Sequence, residues 1–178
     1  MSKITSFYDG TGKDSRNRTV KDIWSFSADE LEAVHDYIQW LFPLPEASQF
    51  NDDAPLLMAE DIQGFKYDPV LRQNIKHSFE LLLCFYGFEK TADGISRSGN
   101  FEVCASNWLI PQNHNFLRIT RILRCMTLTG HEAESKNFLK VLEDVFHENE
   151  RTISDKTFLY WQAATPSQYP HNEEGLHR

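Results

Sequence analysis

The sequence predicts an all-α protein, organised as a single compact helical domain of about five to seven helices with an extended N-terminal arm. Apolar residues recur at helical spacing in several separate segments. Capping residues, prolines and glycines stand where those segments begin and end. No segment shows the alternating apolar and polar pattern of a half-buried strand. The 178 residues fit one domain, and a 13% aromatic content with thirteen Phe predicts a core built on rings.

The N-terminal part of the chain predicts the arm and one long helix. Residues 1–21 are polar, contain the run DGTG and show no period, so we expect them to be extended. The first helix begins at Ser27, which forms a capping box with Glu30. It ends before Pro43, which cannot continue a helix. Its apolar stripe consists of Leu31, Val34, Ile38, Leu41 and Phe42.

The remaining segments predict shorter helices separated by turns. After a proline-rich loop, a second helix runs from Pro55 to Ile62, and Gly64 ends it. A third begins at Asp68-Pro69 and ends at Gly87. The following stretch, EKTADGISRSGN, is a turn or loop with room for a small hairpin. Four further helices are expected at residues 101–108, 114–126, 131–147 and 154–164.

Domain limits and compartment follow from the same patterns. The helical domain is expected at residues 22–164, between the arm at 1–21 and a flexible tail at 165–178. The odd number of cysteines and the lack of a C-x-x-C pair predict neither a disulfide framework nor a zinc site; these residues are Cys84, Cys104 and Cys125. No secretory signal is recognisable, and no apolar run approaches the roughly 20 residues that cross a bilayer. We therefore expect a soluble, intracellular protein, cytoplasmic and without metal or cofactor.

Two motifs that would suggest enzymes are weak in this chain. GTGKDS, at residues 10–15, lacks the full phosphate-loop pattern, and Asp14 takes the hydroxyl position, where its charge would repel phosphate. The pair His35-Asp36 lacks the upstream histidine of metal-dependent phosphohydrolases, and its helical angle favours a hydrogen-bonded core histidine. No serine or cysteine has a base at a recognisable spacing. No catalytic residue is predicted, and an enzyme is not favoured.

The segment HNFLRITRILRC, residues 114–125, is the best candidate for a binding site. It contains no carboxylate, although the whole chain has a formal net charge of −8, and it spaces Arg118, Arg121 and Arg124 three residues apart. Opposite the apolar face of this helix, one stripe carries His114, Arg118, Arg121 and Cys125. One interpretation is a ligand-binding site of His114, Arg118 and Arg121, because arginine suits paired contacts with carboxylate or phosphate. The other, which we favour, is that the arginines pair with carboxylates of neighbouring helices or face solvent.

Three blocks of the sequence resemble a known family. They are HDYIQWLFPLPEAS at 35–48, FELLLCFYGFE at 79–89 and HNFLRITRILRCMTLTG at 114–130. Together they resemble the conserved N-terminal region of the opioid growth factor receptor family, with mild departures at Cys84, where the family often has Gly, and in MTLTG, which replaces L-G-x-L-G. The resemblance implies an all-α domain, an enkephalin peptide as the ligand described for vertebrate members, and association with the nucleus. The long C-terminal extensions of those members have no counterpart here, so we expect a short stand-alone member.

These observations favour a non-enzymatic binding or interaction domain. Its partner would be a peptide, a protein or a small anion, bound at the face of His114, Arg118 and Arg121. Nucleic-acid binding by the arginine helix is an alternative, but the net charge of −8 opposes contact with phosphates. A third hypothesis is an unrecognised enzyme with an arginine-lined anion site.

Overall fold

The computed structural model describes residues 1–166, and within them the chain forms ten helices and one two-stranded sheet. In chain order the helices are α1 (Lys3–Asp9), α2 (Val20–Trp24), α3 (Ala28–Ala33), α4 (Ile38–Leu41), α5 (Ala59–Tyr67), α6 (Pro69–Tyr86), α7 (Phe101–Trp108), α8 (Asn115–Leu128), α9 (Glu132–Glu148) and α10 (Asp155–Ala164). The strands β1 (Phe88–Thr91) and β2 (Gly94–Arg97) form an antiparallel hairpin between α6 and α7. The protein is therefore mainly helical, as predicted. The all-α class and the count of five to seven helices hold only approximately, because the hairpin and several one- or two-turn helices add elements.

The N-terminal segment is helical at residues 3–9, which corrects the prediction of an extended arm. Helix α1 begins after Ser2, whose hydroxyl accepts a hydrogen bond from the backbone N–H of Thr5. Three apolar side chains at i, i+3 and i+4 are buried on its inner face, namely Ile4, Phe7 and Tyr8. A helix of this length is not stable alone, so its packing against α5 and α6 is what stabilises it.

The helix predicted over residues 27–42 is broken into α3 and α4. The predicted capping box starts α3, but the helix ends at Ala33 because Val34 has an extended backbone, with φ −86° and ψ 128°. The chain becomes helical again only at Ile38. His35 consequently lies exposed on the linker between the two helices, and the prediction of a core histidine is wrong.

Helix α5 lies further along the chain than predicted. It starts four residues after Pro55 and continues through Gly64 to Tyr67. The residues before it are held extended, because the N–H of Leu57 donates to the carbonyl of Leu44 across 2.9 Å. Helix α5 therefore starts later than the local sequence signals predicted, because this contact joins residues that are distant along the chain.

The helices α6 to α10 lie within a few residues of their predicted positions, and those predictions are confirmed. Asp68 caps α6 by accepting hydrogen bonds from the N–H groups of Val70 and Leu71. Gly87 ends the same helix in the left-handed region, with φ +92°. Both ends are therefore determined by local signals that the sequence displays.

Aromatic side chains fill the core between these helices, as their abundance predicted. Helix α8 lies centrally and packs against both α9 and α10. The buried indoles of Trp108 and Trp161 donate hydrogen bonds to the carbonyls of Tyr86 and Phe116, at 3.0 and 3.1 Å. These bonds satisfy both donors inside the apolar interior.

No helix within residues 1–166 has the length and apolar character needed to cross a membrane. Cys84, Cys104 and Cys125 are all unpaired thiols. The division into a domain at 22–164 and a tail at 165–178 stays a prediction, and most of that tail lies outside the described residues.

Candidate functional site

The predicted binding stripe on α8 centres on Arg118, which the structure buries. Only 6% of this residue is exposed. Its Nη1 donates to the carbonyl of Leu31 at 2.7 Å, and its Nη2 donates to the carbonyl of Val34 at 2.9 Å. Those carbonyls lie at and just beyond the C-terminal end of α3, where a helix leaves carbonyl groups without internal partners. A cation in this position also complements the negative end of the helix dipole.

A network of hydrogen bonds surrounds the Arg118 guanidinium. Asn115 is fully buried, and its Oδ1 accepts from the hydroxyl of Tyr86 at 3.0 Å and, more weakly, from Arg118 at 3.4 Å. The amide Nδ2 of Asn115 donates to a carboxylate oxygen of Glu32 at 2.9 Å. The buried charge is thus linked through Asn115 to a carboxylate at the surface. Networks of this kind hold their members in one geometry.

Two histidines and Glu32 form the exposed rim of this network, which we call the His114 surface. The His114 Nε2 lies 3.1 Å from a carboxylate oxygen of Glu32, and the rings of His114 and His35 meet edge to face, with centroids 5.2 Å apart. The His35 Nδ1 lies 3.2 Å from Arg118 Nη2. Because arginine only donates, a hydrogen bond at this distance uses the His35 nitrogen as its acceptor.

Burial is the main cause that lowers the pKa of His114. The charge of Arg118 acts in the same direction, and the carboxylate of Glu32 opposes it. At neutral pH its ring is therefore uncharged. The rim thus combines two imidazoles with one carboxylate, a surface suited to hydrogen bonding and aromatic contact.

The other two arginines extend the same contact along α8. Arg121 donates to the carbonyl of Phe42 at 3.0 Å. Arg124 binds the carboxylate of Glu46 with both terminal nitrogens, at 2.6 and 2.5 Å. The three arginines therefore form a ladder, defined by Arg118, Arg121 and Arg124, that holds the segment 31–46 against α8.

The arginines of α8 bind other parts of the fold, but mostly through acceptors other than those predicted. Carboxylate partners on neighbouring helices were expected. Arg124 does bind a carboxylate, but Glu46 lies in the loop between α4 and α5. Arg118 and Arg121 bind backbone carbonyls instead. Cys125, predicted on the polar stripe, is wholly buried in the core, and burial raises the pKa of its thiol. The ligand-binding role of His114, Arg118 and Arg121 stays a prediction.

No grouping of three or more His, Cys, Asp or Glu residues within residues 1–166 is arranged to hold a metal ion. Three surface clefts of about 430 to 480 Å³ lie elsewhere on the fold. Neither His114 nor the arginines of the ladder line any of these three clefts.

Residues 7–170 match the model of the opioid growth factor receptor conserved region. The chain belongs to this family. It is 38% identical to the opioid growth factor receptor of Rattus norvegicus and 37% identical to that of Homo sapiens, over 64% of this chain in both cases. It is 33% identical to opioid growth factor receptor-like protein 1 of Mus musculus, over 73% of this chain. The match covers only 20%, 17% and 28% of the lengths of these three relatives, and no solved structure matches the chain.

The structure explains why two of the resembling blocks occur together. Block 35–48 contains Phe42 and Glu46, and block 114–130 contains the arginines that bind them. Sequence reasoning missed Glu32 and Asn115 as members of the site. Their partners lie 83 residues away along the chain, and neither residue has a local pattern that would reveal the contact. The only available signal was the presence of both blocks in one chain.

Proposed function

We propose that this domain is a non-enzymatic binding module that recognises a peptide segment through the His114 surface. The observation that carries the proposal is the buried Arg118 network, which fixes the linker bearing His35 and presents both imidazoles and Glu32 at its rim. A prearranged surface loses less conformational entropy when it binds a partner. The name of the relatives, opioid growth factor receptor, supports a peptide ligand, although this chain spans a fifth of their length or less.

The three predicted site residues would have different roles. His114 is partly exposed and would contact the ligand directly. The terminal nitrogens of Arg118 donate to backbone carbonyl groups, so Arg118 would hold the His114 surface in position from beneath. Arg121 is half-buried and would supply positive charge to an acidic group of the ligand.

Two alternative functions have less support from the geometry. Binding of nucleic acid or catalysis at an anion site would both need free guanidinium groups, whereas the terminal nitrogens of Arg118 and Arg124 are occupied by internal acceptors. A cytoplasmic or nuclear location is a further proposal, which rests on the family resemblance.

The test measures binding of an enkephalin peptide by isothermal titration calorimetry. We expect saturable binding to the wild-type protein and a loss of at least about tenfold in affinity for His114→Ala. The matched control is His147→Ala, which removes an exposed imidazole from α9 and should bind like the wild type. The proposal fails if the peptide does not bind, or if His114→Ala binds it as tightly as the control does.

A further inference from the structure

A polar cleft lies where α1, the loop at residues 10–15, α4 and the turn at 52–55 meet. Its volume is about 480 Å³, and its lining includes Lys3, Lys13, Trp40, Asp52 and Asp53, so we call it the Trp40 cleft. None of its lining residues belongs to the His114 surface or to the arginine ladder. Its volume lies in the range of small-molecule sites, which is about 300 to 1,000 Å³.

Trp40 is the feature that points to a ligand. The residue is 3% exposed, and its Nε1 has no hydrogen-bond partner among residues 1–166. A buried indole N–H without an acceptor costs about 1 to 3 kcal/mol in folding free energy. The other indole donors of this protein, those of Trp24, Trp108 and Trp161, are all bonded to protein acceptors. A ligand that brings an acceptor atom would give the Trp40 N–H the hydrogen bond that the other three indoles already have.

The charges that line the cleft fall into two opposite groups. Lys3 and Lys13 come from α1 and the 10–15 loop, and neither forms an ion pair within the described part of the chain. Asp52 and Asp53 come from the opposing turn, and their carboxylates likewise have no cationic partner there. The cleft therefore offers two ammonium groups and two carboxylates, all on exposed side chains. Lys13 also acts on the carboxyl of Asp22, whose pKa it helps to lower.

The wall that carries Lys13 is held rigidly. The N–H of Gly12 donates to the carbonyl of Ser6 at 2.7 Å, and a Cβ at Gly12 would come within 2.8 Å of the Ser6 side chain. The Asp14 carboxylate accepts from the N–H groups of Arg16 and Arg18 and from the Arg18 guanidinium. Asp14, which also lines the cleft, is thus paired with Arg18.

The wall that carries the aspartates is connected to the helix of Trp40. The N–H of Asp53 donates to Asn51 Oδ1 at 3.1 Å, and the N–H of Ala54 donates to the Asn51 carbonyl at 3.1 Å. Asn51 in turn approaches the side chain of Gln39, the residue before Trp40, at 3.5 Å. Both walls are therefore set by the fold before any ligand arrives.

We propose that the Trp40 cleft binds a small zwitterion of the α-amino-acid type. Its carboxylate accepts the free N–H of Trp40 and lies near the two lysines, while its ammonium group faces Asp52 and Asp53. An anion alone would leave the aspartates unpaired, and a cation alone would leave the lysines and Trp40 without a partner. The segment GTGKDS thereby has a role, because it positions Lys13.

The test follows the indole N–H signal of Trp40 in ¹⁵N-¹H NMR spectra of the full chain. Trp40→Phe identifies the signal by its loss, and backbone-based assignment identifies it if that variant does not fold. The free standard amino acids are added singly, with acetate and butylamine at equal concentrations as single-charge controls. We expect at least one amino acid to shift the Trp40 signal saturably, and the single-charge compounds to shift it far less.

Variants on each wall distinguish the zwitterion site from simpler binding. Lys13→Ala and Asp53→Asn should each weaken the amino acid by about tenfold, the loss expected for one charge-assisted contact. Lys136→Ala and Asp144→Asn, on exposed positions of α9, should bind like the wild type, as should His114→Ala. The proposal is overturned if no amino acid shifts the signal, or if acetate binds equally well and Asp53→Asn has no effect.

Discussion

Replacing Arg118 by methionine should destabilise the fold far more than the same substitution at Arg124. Arg118→Met keeps the buried aliphatic stem but removes two charge-assisted hydrogen bonds, to the carbonyls of Leu31 and Val34. The hydroxyl of Tyr37 still donates to Leu31, at 2.8 Å, so Val34 is the carbonyl left without a donor. Each such bond contributes about 1.5 to 3 kcal/mol, and release of the buried charge offsets part of the loss. We expect a net loss of about 3 kcal/mol in the free energy of unfolding.

The expected shift in melting temperature follows from the size of the chain. An unfolding entropy of about 2.1 cal/mol/K per residue gives roughly 0.37 kcal/mol/K for 178 residues, so about 3 kcal/mol lowers Tm by about 8 °C. The Arg124 pair with Glu46 has side chains 38% and 59% exposed, and such pairs contribute about 0 to 1 kcal/mol, or less than about 3 °C. Differential scanning calorimetry and urea titration measure both variants. Equal shifts for the two would refute the structural role assigned to Arg118.

Three further predictions test other parts of the fold. Gly87→Ala should lower the free energy of unfolding by about 3 kcal/mol, because φ is +92° and the added Cβ would lie 2.9 Å from atoms of α7. Gly10→Ala, where φ is +89° and the space around the Cβ is open, should lower it by about 1 kcal/mol. Urea titration measures both. Burial lowers the pKa of His131 to about 4, below its unfolded value of about 6.5, so its contribution to stability is complete above pH 6.5 and is lost as pH falls towards 4. His131→Leu should therefore flatten the fall in urea midpoint across that window, and an unchanged slope would contradict the assignment. Iodoacetamide should label the exposed Cys84 in the native protein but Cys125 only after unfolding, as mass spectrometry of digested samples will show.

Local sequence signals were sufficient to predict the helices in the second half of the chain. Asp68 and Gly87 bound α6 because their side-chain cap and left-handed backbone act on neighbouring residues. Ser154 starts α10 in the same way, by accepting from the N–H of Thr157. The polar side of α8 was predictable only in part: periodicity separates Arg118 from the apolar face, but Cys125 of the same predicted stripe is buried in the core. Helix α1 was predictable in principle from its Ser2 cap and apolar spacing, but its stability comes from docking onto α5 and α6.

The sequence by itself determined the family, the main helices and the existence of an arginine-rich helix. Only the tertiary structure decided what those arginines bind. A continuous helix over residues 27–42 would have satisfied the carbonyls of Leu31 and Val34 internally, as its apolar period indicated. Arg118, 84 to 87 residues further along, supplies those hydrogen bonds instead and so allows the helix to break there. Backbone carbonyls carry no sequence signal, and that is the physical reason the partners of the arginine ladder emerged only from the folded chain.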